Sequence, residues 1–106
     1  MLKWKTSAVV IVTANTEIVN DILSGKPGKT LTVKYLAGTP TASLRIRAYR
    51  TSDQMVDFDS FMLTAAAPLL PVDVPLKQGD TFKAGFQDLG AGAGTYYICV
   101  GYEESE

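Results

Sequence analysis

Asp57 and Asp59 are separated by one residue. Among the carboxylates of this sequence, these two have the spacing that most resembles a catalytic pair. On a β-strand, residues i and i+2 share a face, and a rise of ~3.3 Å per residue sets their carboxyl groups about 6–7 Å apart. Inverting glycosidases separate their acid and base by a comparable distance. The spacing therefore raises the hypothesis of a small enzyme or ligand-binding domain that uses Asp57 and Asp59.

The neighbouring sequence favours a structural role for the same two aspartates. If residues 51–53 form a three-residue hairpin loop, Arg47 lies opposite Asp57. Arg45 then lies opposite Asp59. Because such partners keep both carboxyl groups ionised, neither aspartate is a competent general acid. We predict that these two arginines and two aspartates form a cross-strand charge ladder.

The same register separates apolar from charged residues. It sets Ala48 against Val56 and Ile46 against Phe58, on the strand face opposite the charged pairs. A shift of one residue would set arginine against phenylalanine and break both sets of pairs. The hairpin register is therefore a specific prediction.

Two glycine-rich segments share features with phosphate-binding loops, and neither completes the motif. Residues 25–30 (GKPGKT) end as a P-loop does, but Leu23 stands where that motif needs glycine, and a strand pattern follows in place of a helix. Residues 90–94 (GAGAG) lack the spacing of a dinucleotide-binding loop. We interpret the first segment as a hairpin turn and the second as a surface loop.

Composition excludes several kinds of chemistry. Histidine is absent, which removes the commonest general base and metal ligand, and the one cysteine, Cys99, lacks a histidine to activate it. A single cysteine also excludes an intrachain disulfide. The formal net charge of -1 gives no electrostatic reason to expect nucleic acid or an anionic membrane as partner. We predict a non-enzymatic protein with no cofactor, no metal, no nucleic-acid partner and no membrane partner.

The apolar segments are too short for a secretory signal or a membrane span. Residues 8–12 fall short of the ~7–15 apolar residues that a signal needs. The run at 65–72 is interrupted by Pro68 and Pro71, whereas a membrane helix needs ~20 apolar residues. The sequence therefore predicts a cytoplasmic or virion-borne protein.

Alternation with a period of two recurs along the chain in segments rich in strand-forming residues. It is seen at 31–35, 44–48, 56–59 and 82–87, and two nearly continuous apolar runs lie at 8–12 and 96–102. Turn residues separate these segments, and no long helical pattern occurs. We predict an all-β fold: one antiparallel β-sandwich domain over residues 1–106, jelly-roll-like, with about seven or eight strands. An immunoglobulin-like strand order stays open, since the pattern does not fix topology.

Two segments are less regular. Residues 16–23 fit a two-turn helix and a short strand, and the β context favours the strand. Pro68, Pro71 and Pro75 limit the segment 65–76 to an edge strand, because proline cannot donate a hydrogen bond to a sheet ladder.

Several strands carry apolar residues on both faces, although a sandwich strand needs only one apolar face. The residues predicted to face outward are Val9, Ile11, Phe61, Leu63, Tyr97 and Cys99. Because monomers seldom expose contiguous apolar patches, these six are the candidate subunit interface of a homo-oligomer. The alternative is that loop residues 65–67 and 69–70 cover them.

A second hypothesis rests on aromatic residues. Trp4, Tyr49, Tyr97 and Tyr102 have the side chains with which β-sandwich modules stack sugar rings. The alternative function is therefore a carbohydrate-binding or adhesive module, with a glycan as its partner.

The last third of the chain resembles small jelly-roll virion proteins of the capsid, penton or decoration type. The segments that carry the resemblance are 71–85 (PVDVPLKQGDTFKAG), with a Gly-Asp turn before a strand, and the aromatic-rich final strand 96–104 (YYICVGYEE). The resemblance implies an assembling structural subunit and supplies no catalytic residues. Together with the doubly apolar strands, it predicts a non-enzymatic subunit that self-associates through apolar sheet faces.

Overall fold

The computed structural model describes residues 2–13, 15–40, 43–60, 63, 69–90 and 92–105. These residues contain eight β-strands: β1 (Leu2–Ile11), β2 (Glu17–Ser24), β3 (Thr30–Gly38), β4 (Leu44–Arg50), β5 (Asp53–Asp59), β6 (Leu70–Leu76), β7 (Thr81–Asp88) and β8 (Gly94–Ser105). No helix in this part of the chain has the length and apolar character needed to cross a bilayer. The all-β prediction is confirmed.

The strands form two four-stranded antiparallel sheets that pack face to face. Sheet A has the order β1-β8-β3-β6, and sheet B has the order β2-β7-β4-β5. Successive strands mostly alternate between the two sheets, and each sheet pairs early with late strands. This is the order of a jelly roll and not of an immunoglobulin domain, so the jelly-roll prediction is confirmed.

Both irregular segments form strands in the part of the chain that the structure describes, and Pro68 lies outside that part. Residues 17–24 form β2, whose register with β7 shifts between Asp21 and Leu23. This bulge lets the adjacent residues Ile22 and Leu23 both face the core, which accounts for the helix-like spacing of apolar residues in the sequence. β6 lies at the edge of sheet A and pairs only with β3, as its prolines require.

The predicted register of the β4–β5 hairpin is confirmed. Arg47 is opposite Asp57 and Arg45 is opposite Asp59. The predicted three-residue loop is wrong, because Arg50 pairs with Asp53 and leaves two residues in the turn. A bulge between the turn and the charged pairs then restores the register.

The core lies between the sheets and includes side chains that we predicted to face outward. Val9 and Ile11 are 0% and 1% exposed, so the predicted orientation of β1 is wrong. Val10 and Val12 are instead 52% and 76% exposed. Residues on both faces of β1 are apolar, so the period-two pattern did not determine which set faces Phe82 and the rest of the core.

Candidate functional site

The outer face of sheet B is covered by a network of charged side chains. Arg47 lies at its centre and donates to Glu17 Oε2 at 2.9 Å and to Asp57 Oδ1 at 3.3 Å. Arg45 Nε donates to the same Asp57 oxygen at 2.7 Å. The hydroxyl of Tyr49 donates to Glu17 Oε1 at 2.8 Å. This face is therefore polar, as the solvent-exposed face of a sandwich should be.

The network shifts the pKa values of Asp57 and Tyr49 in opposite directions. A hydrogen bond from Arg45, with further attraction from Arg47, lowers the pKa of Asp57 below its ordinary value. The hydrogen bond from Tyr49 to Glu17 raises the pKa of Tyr49 and keeps the phenol protonated. Because both arginines converge on Asp57, this carboxylate stays ionised at neutral pH and serves as the anchor of the network.

The outer face of sheet A has a different character. In the register of β1 with β8, ten residues share this face: Leu2, Trp4, Thr6, Ala8 and Val10 of β1, and Thr95, Tyr97, Cys99, Gly101 and Glu103 of β8; of these ten, Glu103 alone is charged. Trp4 is 48% exposed and Tyr97 is 55% exposed. With Val10, these side chains present apolar surface to solvent along two adjacent strands.

Residues of β3 and β6 complete this face. The rings of Trp4 and Tyr35 stack with their centroids 6.1 Å apart, and the Trp4 indole covers Gly101. The hydroxyl of Thr6 donates to the sulfur of Cys99 at 3.4 Å. We call the outward-facing residues of the four strands β1, β8, β3 and β6 the sheet A face.

The predicted interface residues separate into three groups. Tyr97 and Cys99 lie on the sheet A face, where their assignment to subunit contact stays a prediction. Val9, Ile11 and Leu63 are buried, and the prediction that they face outward is wrong. Phe61 lies outside the described residues.

Sequence reasoning missed the other members of the sheet A face. It began the first strand at Ala8, whereas β1 starts at Leu2. The signal was present, since Trp4, Thr6, Ala8 and Val10 recur at every second position and carry no charge. Lys3 and Lys5, which interleave with them, lie on the other strand face.

The four aromatic residues of the carbohydrate hypothesis do not form one platform. Trp4 and Tyr97 share the sheet A face. Tyr49 lies on sheet B and binds Glu17, and Tyr102 packs against the core. A glycan could therefore contact at most two of the four through one surface.

Residues 25–29 connect β2 to β3, and the strand predicted to follow is confirmed. The predicted hairpin turn is wrong, because β2 lies in sheet B and β3 in sheet A, so the two strands do not pair. The lysines of this connection contribute to a cluster in which the ammonium groups of Lys26, Lys29 and Lys3 lie 3.1, 3.6 and 3.7 Å from the carboxylate of Glu104. The hydrogen bond from Lys26 and the other two ammonium groups lower the pKa of Glu104. Ion pairs of Glu104 therefore link the end of β8 to β1, through Lys3, and to the β2–β3 connection, through Lys26 and Lys29.

Strand order and core define the protein as a jelly-roll β-sandwich. The chain matches no protein-family model and no curated protein. A solved structure with some likeness is that of the nucleoplasmin-like N-terminal domain of Drosophila FKBP39, at 14% sequence identity and a TM-score of 0.48, over 100% of this chain and 92% of that chain. A likeness of this degree carries no information about function.

Proposed function

We propose that the protein is a non-enzymatic assembly subunit that binds further copies of itself through the sheet A face. The observation that carries the proposal is the contrast between the two outer faces. Sheet B covers its outer face with ion pairs, whereas the sheet A face exposes Trp4, Val10 and Tyr97 and carries, along β1 and the facing part of β8, a single charged residue at one end, Glu103. Exposed apolar surface of this kind marks a protein contact.

The size of the face suits a stable contact. Four strands spaced ~4.8 Å apart, each about nine residues long at ~3.3 Å per residue, cover about 600 Å². Two copies that meet through this face would bury about 1,100–1,200 Å² in total. That area clears the ~1,000 Å² expected of a biological interface.

The test is the absolute mass in solution, measured by light scattering after size exclusion over a hundredfold concentration range. A defined oligomer supports the proposal. A monomer at every concentration refutes it and makes a different protein or a ligand the partner to identify.

Cys99 gives a direct readout of which face is buried, because it is the only cysteine and lies on the sheet A face. Its reaction with a thiol reagent should be slow in the oligomer and accelerate on dilution to monomer. If the mass falls on dilution while the reaction rate stays constant, assembly uses another surface.

The resemblance of residues 71–85 and 96–104 to virion jelly-roll proteins extends the proposal to a particle-borne subunit. Such a subunit should form a large closed particle in addition to small oligomers. Electron microscopy of the concentrated protein distinguishes the two, and small oligomers alone would reject the particle role.

A second candidate function, glycan binding, is favoured by the exposure of Trp4 and Tyr97 on the same face. Stacking of a sugar ring on Trp4 would quench its fluorescence, and Trp4 is the only tryptophan. Titration with a broad glycan panel tests this function. Constant fluorescence across the panel would reject it.

A further inference from the structure

The core-facing side of β1 and β8 changes from apolar to polar along the two strands. Val9 and Val100 lie on this side and are buried. Toward the start of β1 and the end of β8, the same side carries polar residues, namely Lys3 and Lys5 of β1 and Tyr102 and Glu104 of β8. Because the facing sides of two packed sheets are ordinarily apolar, lysines at these positions mark a place where a dry core does not close the sandwich.

A cleft of about 290 Å³ lies between the two sheets at this place. Three of its lining residues, Ile22 and Leu23 of β2 and Leu31 of β3, are apolar and buried. Its polar lining includes Lys5, Lys26, Tyr102 and Glu104. We call this the lysine cleft. Its volume is near the lower limit of ~300 Å³ for small-molecule sites, so it suits a small organic molecule and not a polymer.

Side chains join the two edge strands β1 and β2 beside the lysine cleft. Lys5 Nζ donates to the carbonyl oxygen of Ile22 at 2.9 Å. Asn20 Nδ2 donates to Ser7 Oγ at 2.9 Å and to the carbonyl oxygen of Ala8 at 2.8 Å. Because each of these bonds spans from one sheet to the other, they fix the separation of the strands, and the cleft is formed before any ligand binds.

The lysine cleft carries an excess of positive charge. Among the described residues that line it or pair with Glu104, there are four ammonium groups and one carboxylate, which give a local charge of +3. Only Lys26 donates a hydrogen bond to Glu104, at 3.1 Å. Lys3 and Lys29 lie 3.7 and 3.6 Å from it and make no side-chain hydrogen bond within the described part of the chain. Since an ammonium group has three N–H donors, both lysines retain donors for a further anion.

We propose that the lysine cleft binds a small phosphate monoester that carries an apolar or aromatic group. A phosphate monoester has a charge of about −1.5 to −2 at pH 7, which matches the local excess of positive charge. The ammonium groups bind the phosphate as point charges. The buried side chains of Ile22, Leu23 and Leu31 and the ring of Tyr102 contact the apolar group. The lysine cleft lies on the core-facing side of sheet A, so the proposal does not depend on association through the sheet A face.

Isothermal titration calorimetry with phenyl phosphate tests the proposal, with inorganic phosphate and phenol as reference ligands. Phenyl phosphate should bind with a Kd of about 1 mM or below, and at least about tenfold more tightly than either reference ligand. The reason is that only phenyl phosphate combines the charge for the lysines with a ring for the apolar lining. Added salt should weaken the binding, because it screens the charges.

Lys29→Met and Lys83→Met are the matched variants. The side chains of Lys29 and Lys83 are 41% and 42% exposed and each belongs to an ion pair, but Lys83 pairs with Asp21 on sheet B, outside the lysine cleft. Lys29→Met should weaken phenyl phosphate binding about tenfold, whereas Lys83→Met should leave it unchanged. Thermal melts without ligand verify that each variant folds.

Glu104→Gln gives a test in the opposite direction. Glu104 competes with a ligand for the ammonium groups of the lysine cleft, so its neutralisation should strengthen phenyl phosphate binding about tenfold. A purely structural role of the lysines, in which they only hold Glu104, predicts no binding by the wild type and none by this variant.

Three results overturn the proposal. The first is the absence of binding by the wild type at about 10 mM phenyl phosphate. The second is equal weakening by Lys29→Met and Lys83→Met, which would mean that anions bind to diffuse surface charge. The third is binding of inorganic phosphate as tight as that of phenyl phosphate, which would show that the apolar lining takes no part. None of these results affects the proposed assembly, which is measured by the mass in solution.

Discussion

Replacement of Tyr97 by serine tests the proposed contact at its most exposed aromatic side chain. Tyr97 is 55% exposed, and a tyrosine side chain of roughly 200 Å² leaves about 110 Å² of it to be covered by another copy. At ~25 cal/mol per Å², burial of that area contributes about 2.7 kcal/mol for each copy that brings Tyr97 to the contact. Tyr97→Ser should therefore weaken association by a factor of about one hundred or more.

The folded monomer should tolerate this change. The Tyr97 side chain points away from the core. The backbone N–H of Tyr97 donates to the hydroxyl of Thr39 at 2.9 Å, and serine at position 97 would retain this hydrogen bond. Thermal melts of the diluted variant should match those of the wild type within a few degrees, because surface substitutions change stability by about 0.5 kcal/mol or less.

The assay is sedimentation equilibrium with Met55→Ser as the matched control. Met55 is a large apolar side chain of similar exposure, 39%, on the edge strand β5 of the other sheet. Equal loss of association in both variants would show that general surface hydrophobicity drives assembly. Unchanged association of Tyr97→Ser would refute the assignment of the sheet A face as the contact.

Three further predictions concern the sandwich itself. Asp88→Ala removes the acceptor of three backbone N–H groups and should cost about 3 kcal/mol in a urea titration, whereas Asp73→Ala, at an exposed aspartate, should cost less than about 0.5 kcal/mol. Gly85→Ala should unfold the protein or destabilise it by about 3 kcal/mol or more, because a Cβ at that position collides with the Ile18 carbonyl. The measurement is a thermal melt followed by circular dichroism. Gly94→Ala is the control, because a Cβ at position 94 meets only ordinary contacts. The lowered pKa of Asp57 predicts a stabilising contribution that is present above pH ~4, the unfolded pKa, and is lost as the pH falls through the folded value. The melting temperatures of wild type and Asp57→Asn should therefore differ at pH 6 and converge near pH 2, and a constant difference would contradict the ion pairs.

The β4–β5 hairpin shows where sequence suffices. Charged residues alternate with apolar residues on both strands, so only one register satisfies both faces, and the structure has that register. The turn itself was mispredicted by one residue, because a bulge between the turn and the charged pairs absorbs the difference without changing which residues pair. Side-chain patterns fix the register, and backbone geometry adjusts to it.

The orientation of β1 shows where sequence does not suffice. Val9 and Ile11 are as apolar as Val10 and Val12, so alternation carried no information about which pair faces the core. The pairing of β1 with β8 determines which face of β1 points to the core along the whole strand. It aligns Trp4 with Gly101 and buries Val9. Val9 and Ile11, which we predicted to lie in the interface, are therefore buried, and Val10 is exposed instead.

Composition and periodicity determined the all-β class, the approximate positions of most strands and the hairpin register of this protein, because these depend on residues that are near one another in the sequence. The strand order and the charge difference between the two outer faces arise only in the tertiary structure. Each of these features gathers residues from segments that are far apart along the chain. A single sequence records the charge of every segment, but only the packing of the two sheets determines which segments share a surface.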